Sequence, residues 1–303
     1  MQNVFLTGAT GTIGSAILEV LASTKEYSID CLQRHPESRA SIESAGGAFV
    51  HGDMVDAEFF GKIADRKTYH FIIHAAQAHY GEHAASTIHA MDVQAVANLE
   101  RLRSAATKLM VYTSGVWIFG HQKDGVRISE TTPRQPFPSA RDRSELVSKM
   151  LGQKSSPWAH LCPPSIVYGD VGPMPAVVRQ MKLGPIEIID DETVQWSMIE
   201  RIDLAKAYLA LLKTASPGEF YVVSEDNPIP VVAFYDAVSS CIPGSRVLRR
   251  SRRYFEKILS DESLETKFAS QPVDPSRFKS RTGWRAQESF ETSVSRFLSK
   301  DAN

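Results

Sequence analysis

Three glycines at a fixed spacing carry the first chemical signal. Gly8, Gly11 and Gly14 stand as G-x-x-G-x-x-G in Thr7-Gly8-Ala9-Thr10-Gly11-Thr12-Ile13-Gly14. Gly8 suits a tight turn, Gly11 lets backbone approach a phosphate, and Gly14 lets a helix lie close to a strand. The N–H groups that open a helix point at such an anion. The expected ligand is a dinucleotide held through its pyrophosphate; a strand–helix turn with no ligand is the alternative. A second group, Gln77-Ala78-His79-Tyr80-Gly81-Glu82-His83, brings two histidines, a phenol and a carboxylate, all able to move protons. A polar surface loop is the alternative there. A third, Arg249, Arg250, Arg252 and Arg253, reads as a solvated face or as a local anion contact.

These residues need a scaffold that brings strand ends together. Val4, Phe5 and Leu6 read as a strand, and Ile13, Ile17, Leu18 and Leu21 as the apolar stripe of the next helix. Further strands are expected at 27–33, 48–51, 70–76 and 108–114, with another beginning at 160. Helices are expected at 56–65, 86–107 and 141–153. Strand–helix alternation predicts an α/β fold, a doubly wound parallel sheet of Rossmann-like type with ligand at the strands' carboxyl ends. From about 165 prolines and glycines break the rhythm. Only a helix over 204–214 and a strand over 219–224 return to the main layer. The expected organisation is a dinucleotide-binding domain over 1–164, rejoined at about 199–224. A small discontinuous C-terminal substrate lobe takes 165–198 and 225–303.

Lys and Arg (34) balance Asp and Glu (35), so charge draws the chain neither to nucleic acid nor to an anionic membrane. No apolar run is long enough to span a bilayer, and Met1 leads straight into the first strand. Cys31, Cys162 and Cys241 have no metal-type spacing, so no metal is expected; they suit a reducing, cytoplasmic setting.

Eight segments now stand in one order: TGATGTIG at 7–14, HGDMVD at 51–56, HAA at 74–76, MDVQAVANL at 91–99, VYTSGVWIFG at 111–120, PPSIVYGDVGP at 163–173, IERIDLAKAYLALL at 199–212 and TGW at 282–284. Together they resemble the extended short-chain dehydrogenase/reductase superfamily, of the NAD(P)-dependent epimerase/dehydratase type. The resemblance implies that Gly8, Gly11 and Gly14 line the pyrophosphate, with Thr10, Thr12 and Ile13 adding backbone donors. It puts Asp53 on the adenine amino group with Met54 beside it, and Ala75 and Ala76 along the adenosine. Thr113 and Ser114 end the strand beneath the nicotinamide, and Pro163, Pro164 and Ser165 touch its amide. For Asp53 a helix N-cap is the equal alternative. The cofactor is read from the end of the second strand, where an acid selects NAD and a basic residue NADP. Gln33 and Arg34 stand there, and Asp30 falls too early, so NADP is expected over NAD, with Arg34 on the 2′-phosphate.

The family's chemistry also implies Tyr-x-x-x-Lys on the helix after the fifth strand. No tyrosine occurs between 121 and 160. One alignment puts Phe137 at the tyrosine and Arg141 at the lysine, where Arg141 could hold ribose or substrate. The other puts Glu145 and Lys149 there but shortens the connection to Pro163. Ser114, the partner of the substrate oxygen, is present. Trp117, Phe119 and Trp196 wall the substrate pocket or belong to the core. Tyr168 matches a structural tyrosine of the family. The leading expectation is an NADP-binding oxidoreductase acting on a small organic substrate with a non-standard proton donor. A non-redox isomerase, lyase or cyclase, and a cofactor-sensing regulator without turnover, are the alternatives. The family often forms homodimers through the two long helices, and the second is short and charged here, which leaves dimerisation open.

Overall fold

Val4, Phe5 and Leu6 are all fully buried, the pattern of a strand covered on both faces. They lie in β1 (Gln2–Thr7), at the centre of a computed structural model that describes residues 1–77, 84–123, 125–153, 155–171 and 173–301. The chain continues through α1 (Thr12–Ser23), β2 (Tyr27–Gln33), α2 (Arg39–Ser44), β3 (Ala48–His51), α3 (Ala57–Ala64) and β4 (Phe71–His74). Then come α4 (Ala85–Glu100), β5 (Leu109–Thr113), α5 (Arg141–Gly152) and β6 (Trp158–Cys162). Six of these strands and a later one, β11 (Phe220–Val222), form a parallel sheet in the order β11-β6-β5-β4-β1-β2-β3. The order turns around between β1 and β4. Their carboxyl ends therefore part into a crevice there, as doubly wound sheets require.

Both faces of the sheet are covered. On one, Ile17 and Leu21 of α1 meet Leu204, Tyr208 and Leu211 of a later helix, α7 (Arg201–Thr214). On the other, Phe60 of α3, Val96 and Leu99 of α4, and Leu146 and Met150 of α5 pack together. The segment expected to extend the fourth helix to 107 breaks at Glu100. The Ser104 N–H donates to Thr107 Oγ1 at 3.0 Å and the Ala106 N–H to Ser104 Oγ at 3.2 Å. Such local side-chain bonds compete with the helical ones. The strand expected from 160 divides at Pro163-Pro164, and its second half pairs outside the main sheet.

The rest of the chain runs through β7 (Ile166–Tyr168), α6 (Pro173–Leu183), β8 (Ile186–Ile189), β9 (Gln195–Trp196), β10 (Met198–Glu200), α7 (Arg201–Thr214) and β11 (Phe220–Val222). It ends with β12 (Ile229–Pro230), α8 (Val231–Ser240), β13 (Val247–Arg250), α9 (Arg252–Phe255), α10 (Asp261–Lys267), α11 (Ser276–Thr282) and α12 (Phe290–Asp301). Small pairs β10–β7, β12–β9 and β13–β8 build the lobe over its own apolar cores. Phe278 of α11 and Trp284 leave it and pack on the sheet beside α7, where Trp284 Nε1 donates to the Asp203 carbonyl at 3.0 Å.

Three arginines of the cluster pair with the chain's own acids. Arg249 pairs with Asp236 at 2.6 Å, Arg250 with Glu187 at 2.8 Å and Arg252 with Glu256 at 3.2 Å. All three cysteines are free, Cys31 and Cys162 buried and Cys241 exposed. At the sheet's edge, the Val222 N–H of β11 donates to Glu130 Oε1 at 3.1 Å. Among the described residues no helix is long and apolar enough to cross a membrane, and no group of three or more His, Cys, Asp or Glu could hold a metal.

Candidate functional site

A cavity of about 550 Å³ opens in the crevice between β1 and β4. Its floor is the glycine turn. Gly11 caps α1 without a side-chain hydrogen bond, and the first turn holds no acid. The leading N–H groups have no helical carbonyl to reach. Thr10, Gly11, Thr12 and Ile13 line the cavity here, so the helix presents an uncompensated positive end to it. Gly8 has φ +79°, and a Cβ on it would stand 2.6 Å from the Ala75 carbonyl oxygen. A Cβ on Gly14 would stand 2.0 Å from the Gly8 oxygen. The turn therefore depends on both glycines for its close contacts. A Cβ on Gly11 meets only the Gly8 oxygen, at 3.4 Å.

The far wall is polar. Leu32, Gln33, Arg34 and His35 line it, with Gly52 and Met54 opposite and Ala75, Ala76 and Gln77 beyond. Gln33 Nε2 donates to Thr10 Oγ1 at 2.7 Å, which locks the end of β2 to the glycine turn. The Arg34 N–H donates to Gln33 Oε1 at 2.9 Å, and Arg34 Nη1 stands 4.0 Å from Asp53 Oδ2. Among the described residues no carboxylate lines the cavity. Asp30 is turned away from it: both its oxygens accept from Lys67 Nζ at 2.9 Å, and Oδ2 accepts from the Tyr69 hydroxyl at 2.7 Å. Asp53 is not the N-cap of α3. Asp56 is, accepting from the Glu58 and Phe59 N–H groups at 3.0 and 3.1 Å. Asp53 Oδ1 accepts from the Val55 N–H at 3.1 Å, beside the cavity rather than lining it.

Beneath the crevice lies a buried polar row. Thr7, His74, Tyr112 and His160 are register partners across β1, β4, β5 and β6. Thr7 Oγ1 lies 2.7 Å from His74 Nδ1. Burial pushes the His74 imidazole down to about 4, and the opposed charges of Asp92 and Arg143 act on it as well. His160, packed against Tyr112 and Phe220, has neither ring nitrogen hydrogen-bonded among the described residues. Burial drives it down to about 3, with Arg134 adding to the effect.

The remaining expected residues stand at the ends of β5 and β6 and do not line the cavity. Thr113 Oγ1 lies 2.6 Å from the Tyr208 hydroxyl. The Ser114 oxygen is sealed from solvent against the Cys162 thiol, which burial pushes up to about 12. The Pro163 carbonyl accepts the Val116 N–H at 3.1 Å, and the Ser165 hydroxyl donates to Gln271 Oε1. Phe137 is 1% exposed, its ring edge-on to Trp117 at 5.8 Å; Trp117 itself is exposed. Phe119 packs in the core against Phe220, and Trp196 packs in the lobe against Phe234 and Tyr235. The Tyr168 hydroxyl is engaged by Glu225. On α5, Arg141, Glu145 and Lys149 face outward. Arg143 turns inward to Asp92 of α4 at 3.1 Å. His79, Tyr80, Glu82 and His83 lie outside the described residues.

Sequence reasoning missed His35, Arg143, Asp92 and Gln271. His35 was within reach, one residue beyond Arg34. Asp92 and Arg143 meet only because α4 and α5 pack side by side, and Gln271 sits in an irregular segment with no motif around it.

A protein-family model described as NAD dependent epimerase/dehydratase family matches residues 4–224. The Saccharomyces cerevisiae protein named "Uncharacterized protein YLL056C" is 26% identical over 243 residues, 76% of each chain. Among solved structures, a dTDP-glucose 4,6-dehydratase from Bacillus anthracis in complex with NAD superposes with a TM-score of 0.81 at 16% identity, covering 99% of this chain and 97% of its own. A UDP-glucose 4-epimerase from Bifidobacterium longum, in complex with NAD+ and UDP, gives 0.75 at 16%, covering 100% and 99%.

Proposed function

The chain belongs to the NAD dependent epimerase/dehydratase family, and on that premise we propose that it binds NADP(H) in the 550 Å³ cavity and acts as an oxidoreductase on a small organic substrate. One observation carries the choice of cofactor: Arg34 and His35 line the cavity and, among the described residues, no carboxylate does, whereas an NAD site commonly offers an acid to the ribose. The solved relatives described above hold NAD, so the preference is this chain's own departure. In this reading the opening amides of α1 hold the pyrophosphate, Arg34 and His35 take the 2′-phosphate, and Met54 and Ala76 pack the adenosine. When bound, NADP(H) would supply the hydride chemistry. The proton comes from a group other than a phenol at the head of α5, because Phe137, just before that helix, is buried beneath Trp117 and the helix itself holds no tyrosine.

A second reading has its own support. The Ser114 oxygen, which should face the substrate, is sealed against Cys162. That favours non-redox isomerase, lyase or cyclase chemistry, or cofactor sensing without turnover. Calorimetry with NADPH and NADH, on wild type and Arg34→Ala, tests the cofactor. Equal affinities unmoved by the substitution would refute the NADP reading. Turnover of carbonyl compounds with no change in nicotinamide absorbance would instead select the second. A cytoplasmic setting, with no nucleic-acid or membrane partner, belongs to the same proposal; three free thiols and balanced charge support it. A homodimer through α4 and α5 is left to a sizing experiment.

A further inference from the structure

Gln271 lies outside the dinucleotide cavity and beyond the stretch matched by the family model. It sits between α10 and α11 and is 1% exposed. Its side chain is fully used. Nε2 donates to the carbonyls of Val116 and Gly120, both at 3.0 Å, and Oε1 accepts from the Ser165 hydroxyl. Its backbone N–H donates to the Gln195 carbonyl at 2.8 Å, and its carbonyl accepts from the Ser197 N–H at 3.4 Å. One residue thereby joins the turn after β5, the turn after β6 and the lobe. Its neighbour Ser270 reinforces the join: its carbonyl accepts the Gln122 N–H at 2.8 Å and its own N–H donates to His121 Nδ1 at 2.9 Å.

A buried amide with every polar atom engaged is costly to disturb, since each orphaned partner keeps its desolvation penalty. The turns at 115–120 and 163–165 also meet through the Val116 N–H and Pro163 carbonyl, but Gln271 adds bonds to both from a third direction. We propose that Gln271 is a positioning residue: it holds these two turns against each other and so shapes the wall around the nicotinamide. The inference rests on the cofactor reading above and on the family resemblance that puts Ser114, Pro163 and Ser165 beside that ring.

The test separates the two ends of the cofactor. NADPH reaches the turns, whereas adenosine 2′,5′-bisphosphate fills only the adenosine end. Gln271→Leu and Gln271→Glu are expected to weaken NADPH binding roughly tenfold, about the worth of one to two lost hydrogen bonds, while the bisphosphate stays within about twofold. Equal losses for both ligands would mark a merely structural residue, and no loss for NADPH would overturn the proposal. Amide exchange provides a reading independent of ligand. Either variant should speed exchange at both 115–120 and 163–165 and leave β1 to β4 unchanged; acceleration at only one turn refutes the join. Should wild type bind neither ligand, the cofactor reading fails and the exchange pattern still decides this one. Should both variants fail to fold, Ser165→Ala removes a single bond of the set. Faster exchange at both turns then supports the join, and a change confined to 163–165 refutes it.

Discussion

Replacing His160 with phenylalanine should stabilise this protein, more so in acid. The ring is fully buried among aromatic neighbours, and neither nitrogen has a hydrogen-bond partner among the described residues. A buried unpartnered polar group costs about 1–3 kcal/mol, whereas an apolar ring of similar shape carries no such penalty. Phenylalanine is slightly larger, which offsets part of the gain, so about 1–2 kcal/mol is expected near pH 7. The pH dependence follows from the pKa. Burial holds His160 down at about 3, while in the unfolded chain it returns to about 6.5. Above pH 6.5 both states are neutral and the group contributes no slope. Below it the unfolded chain takes a proton that the native state refuses, so stability falls until the pH nears 3. At pH 5 the loss is about 2 kcal/mol, and His160→Phe removes it. The expected advantage of the variant is therefore about 3–4 kcal/mol at pH 5. Urea denaturation at pH 7.5, 6 and 5 measures this. An advantage that does not grow with acidity, or a variant less stable than wild type at pH 7.5, would refute the burial argument. His74, held at about 4, gives both proteins the same remaining slope.

Gly14→Ala and Gly61→Ala make the same chemical change in two helices with opposite expected signs. At Gly61 nothing lies within 4 Å of the new Cβ, so a gain of about 0.5–1 kcal/mol is expected in thermal denaturation. At Gly14 the contact with the Gly8 oxygen must open, so a loss of about 1–3 kcal/mol and weaker NADPH binding are expected; stabilisation at both sites would contradict the packing. Lys67→Met leaves Asp30 buried beside Tyr69 without its cation and should cost about 2 kcal/mol in urea denaturation, with a loss below about 0.5 kcal/mol as the contrary result. Phe137→Tyr combined with Arg141→Lys should confer no new carbonyl reduction in a nicotinamide absorbance assay, because the new phenol is buried beneath Trp117 and Arg141 faces solvent. Clear turnover would show that this helix can still deliver the proton.

The half of the site that could be read from the chain is the half that is local in it. The glycine turn, the end of β2, Met54 and Ala75–Ala76 fall within the first 76 residues, at the ends of neighbouring strands. Their signal is strong because the central strands, buried on both faces, read as unbroken apolar runs. On the proposed nicotinamide side, Ser114, Phe137 and Ser165 are named only by family motif and Gln271 by none; they stand far apart in the chain, joined by turns without a repeating pattern. Only packing brings them together. The same limit appears on a small scale in GDMVD, where two aspartates three residues apart both suit an N-cap. Helix entry at Ala57 selects Asp56 and leaves Asp53 beside Arg34.

The bond from the Val222 N–H to Glu130 bears on how copies of this chain meet one another. An outer strand with free donors is a template onto which another molecule's backbone can add. Here the donor that faces outward is already taken by a charged side chain, on a strand of only three residues. An incoming strand would have to expel a carboxylate and leave it without its partner. The opposite border, β3, is four residues long with exposed ends. Both borders of the sheet are thus poor surfaces for runaway strand addition. Acid weakens the first of these guards, because burial raises the Glu130 pKa and so brings its protonation closer to mildly acidic conditions.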